Sequence, residues 1–110
     1  MRDNIKGGAL TETTFFILLS LYSPNHGYGI MQFIEKETNG RLSLGAGTLY
    51  GAINTLVKKG WIKLYNDDDS RKKEYIIREE GKRISKIELK RLEQVYKIAN
   101  SIIGENYNDN

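Results

Sequence analysis

The stretch LGAGTLYGAI, residues 44–53, places Gly45, Gly47 and Gly51 within seven residues, ahead of an apolar pattern. A glycine-rich turn that opens a helix can cradle phosphate on its backbone N–H groups, so nucleotide chemistry is the first reading to test. The spacing speaks against it. No Lys-Ser or Lys-Thr follows the glycines, and the run is G-x-G-x-x-x-G where a dinucleotide fingerprint needs G-x-G-x-x-G after a long buried strand. Other catalytic chemistry is equally thin. Without cysteine there is no thiol nucleophile, disulfide framework or zinc-thiolate site, and a triad or metal site would rest on His26 alone. No enzyme, metal or cofactor is expected, and His26 is expected to be a structural turn residue.

The glycines make better sense on a helix. At about 100° per residue, Leu49, Ala52, Ile53, Leu56 and Val57 share one face. Gly47, Gly51, Asn54, Thr55 and Lys58 lie opposite, with Tyr50 on the flank. Two residues without side chains let a helix approach a partner closely, and Asn54 and Lys58 behind them can bond base edges or phosphates. A merely solvated face is the alternative for this helix taken alone.

The elements around it decide between the two. Thr11 caps a first helix, apolar on nearly every side, that runs to about Tyr22 and is expected to be contacted all round. YGIMQFIEKETNG reads as a second helix, RLSL as a short strand, and AGTLYGAINTLVKKG as the third helix, ended by Gly60. WIKLYN and KKEYIIR form a hairpin around DDDSR, and a long helix follows from about Glu79 to Ile103. The expected fold is mainly α with a small β-hairpin wing (α+β). It is a winged helix-turn-helix over about 10–78 plus a C-terminal dimerisation helix over about 79–104, the whole of 1–110 forming a single domain. In that arrangement the third helix enters the major groove and the wing touches flanking backbone.

Composition agrees with such a domain. Hydrophobic content of 39%, 28% charged residues and a net charge of +3 describe a folded chain with a mild preference for polyanions. The longest apolar run, FFILLSLY, is too short to span a membrane, and no secretory signal is visible, so a cytoplasmic location is expected.

Three segments, SPNHGYGI (23–30), GTLYGAINTLVKKGWI (47–62) and RKKEYIIREEGKR (71–83), resemble the PadR-like transcriptional regulators in order and spacing. The resemblance implies a winged-helix homodimer held by C-terminal helices. It also implies transcriptional repression, with release of double-stranded DNA on binding a small, often aromatic, effector. Two positions depart from the family's pattern. Gly45 stands where Ser is common before the third helix, and Arg78 where Thr often precedes the last. The start of the last helix then rests on Glu79 and Glu80 at the positive end of its dipole.

The resemblance makes Tyr50 a phosphate contact; a packing tyrosine is the alternative. Thr48 either stabilises its helix start or touches DNA. Arg71 and Lys72 in the wing would sit on phosphates, with the acids Asp67 to Asp69 turned away. Trp61 and Tyr96 are candidates for an effector pocket, Trp61 otherwise being core. On the last helix, Leu89, Leu92, Tyr96, Ala99 and Ile103 form one apolar stripe, while Ile84, Ile87, Val95, Ile98 and Ile102 form another about 115° away. One stripe would cover the chain's own domain and the other would meet a second protomer, the first being taken as the seam though the pattern leaves open which one it is; the alternative is one wide face buried within the monomer. Two rival functions remain: a winged-helix module that binds protein, or an aromatic-ligand-binding dimer without DNA readout.

Overall fold

The computed structural model describes residues 8–66 and 72–104. Its elements run α1 (Glu12–Ser20), β1 (Asn25–His26), α2 (Gly27–Glu37), α3 (Ala46–Lys59), β2 (Ile62–Asn66), β3 (Glu74–Ile77) and α4 (Glu79–Ile103). Thr11 caps α1 as its type requires, accepting from the Thr14 N–H at 3.1 Å. The helix stops at Ser20, two residues short of the expected end. Leu21 has left the helix, and its carbonyl accepts the Ile77 N–H at 2.8 Å, which ties α1 to the sheet. Nor is α1 enclosed on every side: Ile17 and Leu18 are fully buried, but Phe15 and Phe16 are only partly so.

The sheet has three strands in the order β1-β3-β2, all antiparallel. Its third strand is Asn25–His26 and not RLSL, which forms no ladder. Leu42 instead gives its N–H to Thr38 Oγ1 at 3.1 Å, while Leu42 and Leu44 pack against the core. His26 is the turn residue expected of it. It ends β1 and caps α2, its Nδ1 accepting from the Gly29 N–H at 3.1 Å.

The core lies where α1, α2, α3 and the sheet meet, around Ile17, Leu21, Ile30, Ile34, Leu49 and Leu56. α3 begins at Gly45 with no side-chain cap and ends at Gly60 (φ 78°), the left-handed conformation that favours glycine. At the root of α4, Arg78 caps without a side-chain bond, and Glu79 and Glu80 supply the first-turn acids. Here one glycine is obligatory. A Cβ on Gly81 would stand 2.3 Å from the Trp61 carbonyl oxygen, the same oxygen that accepts the Arg78 N–H at 2.8 Å.

The docked face of α4 is unlike the one the apolar pattern suggests. Gly81, Ser85 and Glu88 are its buried residues; Gly81 sits against the Trp61 carbonyl and Ile77, and α1 is the helix that α4 packs on. The buried Glu88 carboxylate is held by Arg91, with Nε to Oε1 at 2.9 Å and Nη2 to Oε2 at 2.6 Å, and by the Leu10 N–H at 3.3 Å. A buried charge needs such partners. Of the stripe expected to cover the domain, only Ile84 packs on the core; Ile87, Val95, Ile98 and Ile102 are exposed.

Candidate nucleic-acid interface

The outward face of α3 is open along its length. Gly47, Thr48, Gly51, Asn54 and Lys58 are exposed, and a Cβ at either glycine would meet nothing within 4 Å. Nothing in the packing of the described residues therefore asks for glycine there, although glycine in a helix costs up to about 1 kcal/mol against alanine. The helix is held from behind by Leu49, Ile53 and Leu56, all fully buried, so the open face has a rigid support.

Val57 departs from the expected division. It is 41% exposed and turns out of the core, toward the wing. Strand alternation explains what it meets. Ile62 pairs with Ile77 and Leu64 with Tyr75, so these four side chains share one sheet face. The Ile62–Ile77 end is buried in the core; the Leu64–Tyr75 end emerges from it, with Leu64 43% exposed. Together with Asn54, Val57, Lys58 and Lys73 that pair lines a crevice of about 320 Å³ between α3 and the wing. Among the described residues, two ammonium groups, an amide and an apolar floor line it.

Tyr50 occupies the same flank of α3. Its hydroxyl end rests on Gly27, where an added Cβ would stand 2.1 Å away, yet the residue remains 45% exposed. It thus packs on α2 and faces solvent at once. Burial first, and the neighbouring Tyr50 second, hold the Tyr75 hydroxyl above its ordinary range, so it stays protonated at neutral pH. Lys72 is exposed at the near end of the wing. Arg71 and the acids Asp67 to Asp69 lie outside the described residues. Of the residues expected to contact DNA, Asn54 and Lys58 meet at this crevice, Thr48 and Tyr50 are exposed on α3, Lys72 is exposed on the wing, and Arg71 is not described. Lys73, Val57, Leu64 and Tyr75 join Asn54 and Lys58. The period-2 pattern of the wing strands carried that information; the helical period, which grouped Val57 with the core, concealed it.

Trp61 and Tyr96 are not brought together within the chain. Trp61 is only 6% exposed, with Lys59 Nζ 4.9 Å from its ring centre, and its carbonyl abuts Gly81. Tyr96 stands fifteen residues further along α4, about 22 Å away along the axis. There it is exposed beside Ala99, Asn100 and Ile103 in a shallow groove. Leu89, Leu92 and Ile103 are exposed as well, Ile103 by 74%, and Ala99 is half-buried. Of the fourteen exposed large hydrophobics among the described residues, eight lie on α4, and most belong to its second half.

Helices α1 to α3 with a three-stranded sheet whose β2–β3 hairpin flanks α3 define a winged helix-turn-helix protein. The family model for the transcriptional regulator PadR-like family matches residues 17–86. The chain belongs to that family of DNA-binding transcriptional regulators. Among solved structures it is similar to a transcriptional regulator from Clostridium thermocellum, at 27% identity and a TM-score of 0.69, covering 84% of this chain and 92% of that one. A PadR family transcription regulator from Clostridium difficile has the same fold at 24% identity and a TM-score of 0.70, covering 84% and 99%. So does a PadR family regulator from Eggerthella lenta, at 20% identity and a TM-score of 0.62, covering 88% and 82%. Among curated proteins, none matches the chain. Among the described residues no helix is long and apolar enough to cross a membrane, and no cluster of His, Cys, Asp or Glu could hold a metal ion.

Proposed function

We propose that the protein is a homodimeric, sequence-specific repressor that reads double-stranded DNA with α3 and releases it on binding an aromatic effector. The observation that carries the DNA reading is the face of α3: two open glycines followed by Asn54 and Lys58, beside the exposed Lys72 and Lys73 of the wing. In this reading residues 10–78 form the reading head and residues 79–104 the pairing helix. A B-DNA major groove is about 12 Å wide and admits a helix, most easily one stripped of side chains where it goes deepest. Asn54 then bonds adenine through both ends of its amide, Thr48 and Tyr50 meet backbone phosphates, and Lys72 and Arg71 hold phosphate from the wing. The second half of α4 supplies the pairing surface through Leu89, Leu92, Tyr96, Ala99 and Ile103, because exposed aliphatic groups in such number gain most by covering one another. The effector seats against Tyr96 where protomers meet; Trp61, being buried, serves as its fluorescent reporter more than as its wall.

The test is affinity across a salt series for a duplex selected by the protein from a random pool and for random duplex. Asn54→Ala is expected to cost about 1–3 kcal/mol on the selected duplex and little on random DNA. Lys72→Ala is expected to weaken both alike and to lower the salt slope by about one. Equal losses for Asn54→Ala on both duplexes would remove base reading by that residue. For the effector, planar aromatics are titrated against Trp61 fluorescence. A compound that changes the emission is expected also to lower DNA affinity, and a panel in which none does both refutes that part of the reading.

A further inference from the structure

Tyr50 reaches beyond the helix that carries it. We propose that it is a positioning residue for base reading: its ring, seated on Gly27, fixes the roll of α3 about its own axis and so the aim of Asn54. The proposal rests on the reading of α3 as the groove-entering helix and deepens it.

The seat is made by a glycine. Gly27 is buried at the start of α2, and a Cβ there would stand 2.1 Å from the Tyr50 hydroxyl oxygen and 2.6 Å from the ring carbon that bears it. Its φ is not positive, so what glycine supplies at this position is room and not a special backbone. The seat lies at a junction. Gly27 follows β1 directly, and Asn25 of β1 is the register partner of Tyr75 on β3. The Tyr75 hydroxyl, raised chiefly by burial and then by Tyr50, marks the two phenols as neighbours. One side chain of α3 thus meets the start of α2 and stands beside the wing strand β3.

Its place on the helix gives the contact its use. Leu49, Ile53 and Leu56 hold α3 from behind and set how far it stands from the core. Apolar packing has no direction of its own, so a contact to the side of that line is what opposes rotation about the helix axis. Tyr50 supplies it, one turn before Asn54 and about 40° round from it, on the same flank as Val57. With its side chains a helix is about 10–12 Å across, so a roll of about 10° carries the end of Asn54 through about 1 Å. An amide bonded to adenine through both ends tolerates about 0.5 Å. Long, flexible lysine side chains follow such a roll and keep their phosphates, so the loss falls on base reading.

The experiment uses the full chain, the selected duplex and random duplex, and reads the ratio of the two affinities. A phosphate contact by Tyr50 cancels from that ratio, because it serves both duplexes alike. Gly27→Ala puts a methyl group in the seat. Tyr50 is 45% exposed, so its ring swings outward and the melting temperature is expected to change little. The preference for the selected duplex is expected to fall about tenfold, with affinity for random DNA and the salt slope unchanged. Tyr50→Ala is expected to lower the preference by a similar factor. Gly27→Ala combined with Tyr50→Ala is expected to lower it no further, because both changes remove one contact. A preference kept in either single variant overturns the proposal. Losses that multiply in the double variant overturn it too, since glycine and tyrosine would then act independently. So does a fall on both duplexes alike, which would leave Tyr50 a phosphate ligand only. Should Gly27→Ala fail to fold, Tyr50→Ala decides alone, by the preference it retains. If the unaltered protein prefers no duplex, the reading of α3 fails and the positioning role falls with it.

Discussion

On α3 the open face is Gly47, Gly51, Asn54 and Lys58; on the second half of α4 it is Leu92, Tyr96, Ala99 and Ile103. Both faces are supported by a well-formed helix and neither is covered by the chain itself, but they suit opposite surroundings. Water solvates the first readily, and what it offers is closeness and a few polar groups. The second is costly to leave in water and gains from any surface that excludes it. Exposure alone thus does not distinguish a site; the chemistry left exposed does. α4 makes the point within one helix. Its first turns are buried through Gly81, Ser85 and Glu88, with Gly81 close on the Trp61 carbonyl and Glu88 held by Arg91 of the same helix and by the Leu10 N–H, and its apolar residues are kept for the part that runs beyond the head.

The contrast is broken most directly at α4. Tyr96→Glu with Ile103→Glu places two charges on the proposed pairing surface, and sedimentation is expected to report monomers. Affinity for a duplex with two half-sites is then expected to fall about 100-fold or more, because the second head no longer binds as part of one molecule. A dimer that persists assigns the seam to other residues. Next in size is Gly81→Ala. Its Cβ would meet a backbone oxygen, which has nowhere to swing, so a loss of about 1–3 kcal/mol is expected. Thermal melting checks it, at about 4–8 °C for each kcal/mol in a domain of this size.

Gly51→Ala sharpens the comparison, because it sets a glycine the fold does not need beside one that it does. The fold is expected to gain up to about 1 kcal/mol from the better helix former. DNA affinity is expected to drop, since the methyl group stands where the helix must lie closest to its target. A variant that melts higher and binds as before would mean the face is simply solvated. The smallest effect belongs to Arg41→Ala. The hydrogen bond from Arg41 holds the Glu12 carboxyl below its usual range. A depressed folded pKa gives stability that is present above the unfolded value and lost as pH falls through the folded one. Both side chains are largely solvated, so a slight lowering of the melting temperature at pH 7 is expected, shrinking as pH falls below the ordinary carboxylate range.

Much of the head was legible because its signals are local. The Thr11 cap, the Gly60 stop, the buried face of α3 and the hairpin each depend on residues within a few positions of one another. What escaped depends on distant partners. β1 is two residues long and is a strand only because β3 runs beside it. Val57 obeys the helical period of the core face, yet the wing leaves it half open. The docked face of α4 could not be found by counting apolar residues, since helices that approach closely do so through small ones. Glu88 is buried on that face because Arg91, one turn on, reaches back to it. Of the candidate interface, the outward residues of α3 were readable and the crevice beside it was not, because its two walls are distant in sequence.

The seat of Gly81 on the Trp61 carbonyl also fixes how the molecule can move. The peptide after Trp61 leads into the wing, its oxygen takes the N–H of Arg78, and the backbone of α4 rests against it with no side chain between. With so close a contact, a tilt of α4 is expected to carry the root of the wing with it. α4 is a lever of 25 residues, about 37 Å long, and a tilt of roughly 10° at its root carries the far end through about 6 Å. In a dimer that reads half-sites about 34 Å apart, such a swing is enough to bring one α3 out of step with its groove.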